Sequence, residues 1–272
     1  SINSYGILSI DAGNDINVKA KDITLNYGGT TSSPLMLNAN GSLNLAASTK
    51  VSNLGNLGDL YIDAKNITLG SGSELRSNRG SAMIQANQNL ISNKGGFVAA
   101  KDLSLFGNTN LKLTDTRLHA STGDINLQSS LKDSSTNNIN VQGGSVYALK
   151  GLNVYSDQDI TLNNINFLKK TDSTLAQINS LNVYAGNNLS FTTANQVFPY
   201  TAGKIQLGAG NVLTVQGMGT RSTLKGGGGL NLSGKSVTTK NIQLASSGAQ
   251  DLDIISNGGN ILLDQGTNLW AN

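Results

Sequence analysis

Cysteine is absent from the 272 residues, so no disulfide framework holds this chain together. With no Cys and a single His, His119, a zinc site has no ligand set. Charged residues make up only 13%, about half the roughly 25% of an ordinary globular protein. The net charge of +3 comes from 19 basic and 16 acidic residues scattered along the chain. No run of Lys and Arg interleaves with aromatics, which argues against nucleic-acid binding. Aromatics stand at 5% and Pro at 2 residues. No apolar run approaches the roughly 18 residues that would span a bilayer, so the chain is not expected to be membrane-spanning.

What the chain has is Gly, at 32 residues, with abundant Asn, Ser and Thr, and one phrase that keeps returning. The phrase is a polar turn residue followed by apolar–polar–apolar. It reads Asn14-Asp15-Ile16-Asn17-Val18, Lys21-Asp22-Ile23-Thr24-Leu25 and, near the far end, Gly259-Asn260-Ile261-Leu262-Leu263. Alternation with period two marks a strand with one buried face. Each strand is too short to bury that face alone, whereas stacked copies bury it together.

Neighbouring phrases start about seven or eight residues apart, as in Ile16 to Ile23 and Leu152 to Ile160. That leaves room for strand, corner, strand and none for a helix. A longer period lies above it, with coils opening at Ile16, Leu35, Leu60, Met83, Leu103, Ile125, Leu152, Leu181, Ile205, Leu230 and Leu252. The step averages about 24 residues, within the solenoid range. The fold expected is all-β: a right-handed parallel β-helix of roughly ten or eleven three-strand coils, about 50 Å long at the usual strand spacing. Asn precedes many strands (Asn66, Asn89, Asn110, Asn138, Asn188, Asn241, Asn260) and should stack at a corner, where it tolerates left-handed backbone. An antiparallel sandwich or barrel is the alternative. It would favour hairpin loops and a varied aromatic core over these monotonous Leu and Ile ladders.

The phrases Gly123-Asp124-Ile125-Asn126-Leu127 and Leu60-Tyr61-Ile62-Asp63-Ala64-Lys65-Asn66-Ile67-Thr68-Leu69 resemble filamentous-haemagglutinin repeats. So does Leu8-Ser9-Ile10-Asp11-Ala12-Gly13-Asn14-Asp15-Ile16. The resemblance covers nearly the whole chain. It implies a segment of a filament exported by two-partner secretion, either a contact-dependent growth-inhibition effector or an adhesin. Its expected location is outside the cell or on the bacterial surface, in a virulence or competition setting. An outer-membrane two-partner secretion transporter would be the export partner. Neither end reads as a capping segment, so the chain is expected to be part of a longer protein.

Catalysis has little to build on. Pectate-lyase-like β-helices are enzymes, and a carbohydrate-active β-helix enzyme is therefore the alternative from another class. Such sites need clustered carboxylates. Here Asp15, Asp22, Asp59, Asp102, Asp124 and Asp159 each sit singly at a turn before a strand, where Asp caps turn amides. In Asp115-Thr116-Arg117-Leu118-His119, Leu118 should point inward, with Arg117 and His119 on a solvated strand face. Gly226-Gly227-Gly228-Gly229 precedes a strand rather than a helix, so it reads as a flexible corner and not as a phosphate loop. No catalytic, cofactor-binding or metal-binding residue is assigned, and no cofactor is expected.

Function should then lie in what the rod presents. Residues 1–272 form one unit in this reading, with regular coils over 1–127 and 205–272 and irregular coils over 128–204. The irregular part holds insertions, including the one that carries Lys169 and Lys170, and the apolar segment Val197-Phe198-Pro199-Tyr200. In Leu152-Asn153-Val154-Tyr155 the Leu and Val point inward, so Tyr155 should point out. Leu181-Asn182-Val183-Tyr184 repeats the pattern one coil later, so Tyr155 and Tyr184 should stack. Phe198 and Tyr200 should emerge from a loop on the following coil. Tyr155, Tyr184, Lys169, Lys170, Phe198 and Tyr200 are the candidate receptor-binding residues. Their expected partner is an outer-membrane protein or surface glycan of a target cell.

Overall fold

The computed structural model describes residues 8–19, 34–55, 58–130, 137–168, 178–193, 197–218, 222–247, 250–264 and 266–271, with backbone alone for 197–200. Every regular element among these residues is a strand, and neighbouring strands pair in parallel. Strands that follow one another within a coil do not pair with one another. Each pairs with its counterpart one coil away, as Leu152 does with Ile125 on one side and Leu181 on the other. This is a parallel β-solenoid.

On its first face Leu8, Leu35, Leu60, Ala82, Leu103, Ile125, Leu152, Leu181, Ile205, Leu230 and Leu252 occupy equivalent places. Ten successive pairings join them into eleven rungs. That agrees with the ten or eleven coils expected. The second face runs from Ile16 through Leu43, Ile67 and Leu90 to Ile261, and both faces belong to one 19-stranded sheet. Among the described residues the third face comprises a six-stranded and a four-stranded sheet.

Two of the coil openings differ from the sequence reading. Ile16 pairs with Leu43 on the second face, and Leu8 opens its coil instead. Ala82, 1% exposed and paired with Leu60, opens the coil for which Met83 was expected, while Met83 beside it is 39% exposed and points out. Met83 is the larger apolar residue and so reads as core. Yet Ala82, Ile84 and Ala86 keep the inward alternation in register with Leu60, Ile62 and Ala64. The strand-corner-strand pattern also fails in three early coils. Leu35–Leu45, Leu60–Leu69 and Ala82–Asn93 are single strands of 11, 10 and 12 residues that turn the first corner without a break. Register shifts at Ala39/Ser42 and Ala64/Asn66 absorb the bend as a bulge.

The core consists of Leu, Ile and Val ladders from the three faces, with Leu35, Leu60, Leu103, Leu181 and Leu230 essentially without solvent contact. Each fully buried Leu contributes about 1.5–3 kcal/mol. Phe97, Phe167 and Phe191 join them in the core. Since every rung supplies only a few such residues, a coil is stable only against its neighbours.

Polar ladders fix the corners. At the first corner Asn89 Nδ2 donates to Asn66 Oδ1 at 2.9 Å, and Asn110 Nδ2 donates to Asn89 Oδ1 at 3.0 Å. The column continues through Asn138 and Asp159 to Asn188. The stacking expected of these residues is therefore present, but the left-handed backbone lies elsewhere. Ser48, Gly72, Lys94, Asp115, Gly143, Asn164, Asn241 and Gly266 all have positive φ, between 46° and 79°. Each stands two residues ahead of a third-face strand. Asn241 belongs to this second corner and not to the stacked column. Short polar side chains or Gly reach the left-handed region at least cost, and Gly, Asn, Asp and Ser hold seven of these eight places, with Lys94 as the departure in type.

Gly226-Gly227-Gly228-Gly229 forms a corner, as expected, but a closely packed one. A Cβ on Gly227 would lie 2.6 Å from the Thr201 carbonyl oxygen, and one on Gly228 2.9 Å from the Gly203 carbonyl carbon. Backbone contact with the preceding coil, rather than flexibility, accounts for the glycines.

Candidate functional site

The strands Gly151–Ser156 and Ser180–Ala185 carry the same Leu-Asn-Val-Tyr core in register, Leu152 against Leu181 and Tyr155 against Tyr184. Leu152, Val154, Leu181 and Val183 are buried, so the alternation turns both tyrosines and both asparagines outward. The Tyr155 and Tyr184 rings stack with centroids 6.0 Å apart and planes 13° from parallel. They remain 42% and 49% exposed. The expected stacked pair is present.

Beside the rings runs an amide ladder. Asn182 Nδ2 donates to Asn153 Oδ1 at 2.9 Å, Asn153 Nδ2 donates to Asn126 Oδ1 at 2.9 Å, and Asn126 Nδ2 reaches Ser104 Oγ at 3.4 Å. Gln206 and Asn231 continue the column on the next rungs. The tyrosine column is flanked by Gln128 before it and by Gly208 and Ser233 after it. Together the two columns bound an open groove of about 440 Å³ that crosses five rungs of the first face.

Asp157 lies outside the groove lining and holds the Tyr155 hydroxyl. The Tyr155 hydroxyl donates to its Oδ1 and the Ser130 hydroxyl to its Oδ2, both at 2.6 Å. The hydrogen bond to the carboxylate, helped by partial burial, pushes the Tyr155 phenol above its ordinary range. The Ser130 and Tyr155 hydroxyls hold the Asp157 carboxyl below the usual carboxylate value. This pairing anchors the Tyr155 ring and neutralises part of the carboxylate's demand for donors.

The other candidate residues do not join this face. Val197–Thr201 is a strand of the four-stranded third-face sheet, paired with Thr223–Gly226, and not a loop above the tyrosines. Phe198 and Tyr200 therefore sit on a different side of the rod; an apolar run with one Pro reads as a loop, yet Pro fits a strand whose amide is not needed. Lys169 and Lys170 lie outside the described residues, as does Asp22.

The turn aspartates serve the backbone. Asp15, Asp59, Asp102 and Asp159 accept hydrogen bonds from the amides of Ser42, Ser81, Asp124 and Asn188, each on the following coil. His119 stacks on Tyr147 with centroids 4.5 Å apart and bonds Ser121 at 3.0 Å, while Arg117 is exposed. Burial first, and then the Arg117 charge, push the His119 pKa down. Among the described residues no three His, Asp or Glu side chains gather in one place. Among the described residues no helix is long and apolar enough to cross a membrane.

The amide ladder and Gly208 were not singled out from sequence. Their signal was the repeated Asn inside Ile125-Asn126-Leu127, Leu152-Asn153-Val154, Leu181-Asn182-Val183 and Leu230-Asn231-Leu232. No family model, curated protein or solved structure matches this chain.

Proposed function

We propose that this chain is an extracellular filament segment of an exported bacterial haemagglutinin-like protein. In this reading its first face presents a receptor-binding surface to the outer membrane of a target cell, as in contact-dependent growth inhibition. The carrying observation is the Tyr155–Tyr184 pair: two half-exposed aromatic rings on a paired sheet, the Tyr155 hydroxyl held by Asp157, in a groove. Rigid aromatic area in water is characteristic of recognition surfaces, because binding it costs little side-chain entropy.

The sequence resemblance to filamentous-haemagglutinin repeats supports the filament role, as does the parallel solenoid itself. The same resemblance implies export through a two-partner secretion transporter and a location outside the cell. We read the chain as non-catalytic, and the use of turn carboxylates as caps for backbone amides supports that reading. A second role, as the stalk of a filamentous adhesin, is favoured by ladders that run unbroken along the first two faces. A spacer needs that stiffness and nothing more.

The test compares binding of the native chain and of a Tyr155→Ser/Tyr184→Ser variant to outer membranes of candidate target bacteria. Unchanged circular dichroism must show that the variant is folded. Binding lost in the variant supports the receptor face. Equal binding by both rejects it, and absence of binding by either leaves the stalk reading in its place.

A further inference from the structure

We propose that the first-face groove binds a neutral saccharide chain laid along the rod, its sugar rings on Tyr155 and Tyr184 and its hydroxyls on the amide ladder. This deepens the receptor-binding reading and rests on it.

The rings have the right disposition. Parallel rings in full overlap would stand about 3.5–4 Å apart, so centroids at 6.0 Å mean an offset, shingled pair. Each ring then keeps outward surface free for a ligand. The next rung carries Gly208, where an added Cβ would lie 3.1 Å from Tyr184 Cδ2. The Tyr184 ring thus leans over bare backbone, and a side chain at 208 would displace it. The electron-rich faces of aromatic rings attract the weakly positive C–H groups that line one face of a pyranose.

The ladder supplies matching polar groups. An Asn side chain has two N–H donors and a carbonyl oxygen with two lone pairs. Asn153 spends one donor on Asn126 and accepts one bond from Asn182, so a donor and an acceptor position remain. A sugar hydroxyl, which donates and accepts at once, uses both. No Lys, Arg, Asp or Glu lines the groove. A sulfated or phosphorylated ligand would therefore be desolvated there without a counter-charge.

Periodicity separates a saccharide from a peptide. Rungs repeat at about 4.8 Å, whereas an extended peptide advances about 3.3 Å per residue and falls out of step. A chain of pyranoses advances by nearly the rung distance, so successive sugars meet equivalent groups. Four steps from the Ile125 rung to the Leu230 rung give roughly 19 Å, room for several sugars.

The test titrates the full chain calorimetrically with short neutral oligomers of hexoses and N-acetylhexosamines, and with their sulfated forms. A neutral oligomer should bind. Tyr184→Ala and Tyr155→Ala should each weaken it about tenfold, or about 1.4 kcal/mol, while Tyr184→Phe retains binding. Gly208→Leu should weaken it as well, by moving the Tyr184 ring. Failure of every neutral oligomer to bind, preference for the sulfated forms, or undiminished binding by folded Ala variants overturns the proposal. Tyrosine-dependent binding to target membranes that survives periodate oxidation of their glycans and is lost on protease treatment also overturns it. That last result would point to a protein receptor and keep the broader receptor reading intact.

Discussion

Asn89 tests whether the corner ladder stabilises the solenoid. Its Nδ2 donates to Asn66 Oδ1, its Oδ1 accepts from Asn110 Nδ2, and its backbone amide also reaches Asn66 Oδ1 at 3.3 Å. Asn89→Ala removes the two side-chain bonds and leaves the amide contact. Each lost bond costs about 1 kcal/mol, and a stranded partly buried partner adds to that, so the expected loss is about 2–3 kcal/mol. Asn89→Asp should cost about half as much. The carboxylate still accepts from Asn110 but cannot donate to Asn66. The chain already tolerates this arrangement at Asp159, which accepts from Asn188 through both the amide and Nδ2. The assay is urea unfolding followed by circular dichroism, comparing midpoints at unchanged m. Lys101→Ala, at an exposed position, is the control and should shift stability by no more than about 0.5 kcal/mol. An Ala variant within that control range, or an Asp variant worse than Ala, would refute the reasoning.

Four further outcomes follow from the packing, the backbone and the one histidine. Leu181→Ala, at a fully buried place in the first-face ladder, should cost about 2–5 kcal/mol by the same assay. Gly72→Ala isolates left-handed strain, because its φ is 71° while the nearest atom to a new Cβ stands at 3.5 Å; the expected loss is about 1–2 kcal/mol. Raising Lys94, also left-handed, to Gly should by contrast leave stability nearly unchanged, strain relief being offset by the freer unfolded chain. His119 gives a pH signature. Its folded pKa lies below the ordinary 6.5, so near that value the unfolded chain binds more protons. Stability should fall as pH drops from about 6.5 through the lower folded value, then level off. In His119→Gln this dependence should disappear from the unfolding midpoints.

The solenoid was legible because its rule is local. Inward Leu or Ile, outward polar, inward Leu repeats at each rung, and nine of the eleven expected coil openings coincide with first-face positions. At Met83 side-chain size and phase point opposite ways, and the small Ala82 holds the inward place. The Tyr155–Tyr184 stack could be read from two copies of Leu-Asn-Val-Tyr in successive coils. Which face a segment joins is a different matter, since it depends on the length of every preceding corner. Val197–Thr201 shows this: its apolar side chains signalled importance, but its place on the third face follows only from the closed coil. The Asn126–Asn153–Asn182 ladder was hidden for another reason. A single outward Asn is unremarkable, and its value arises from hydrogen bonds to residues 27 and 29 positions away.

The most direct measurement of the central claim is hydroxyl-radical footprinting of the chain, free and bound to outer membranes of a susceptible target strain. Tyr61, 37% exposed on the same face but remote from the groove, serves as the internal reference. The expected result is strong protection of Tyr155 and Tyr184 on binding, with Tyr61 oxidised at its free rate. Bound chain in which Tyr155 and Tyr184 remain as reactive as Tyr61 would contradict the assignment of this groove as the receptor-binding face.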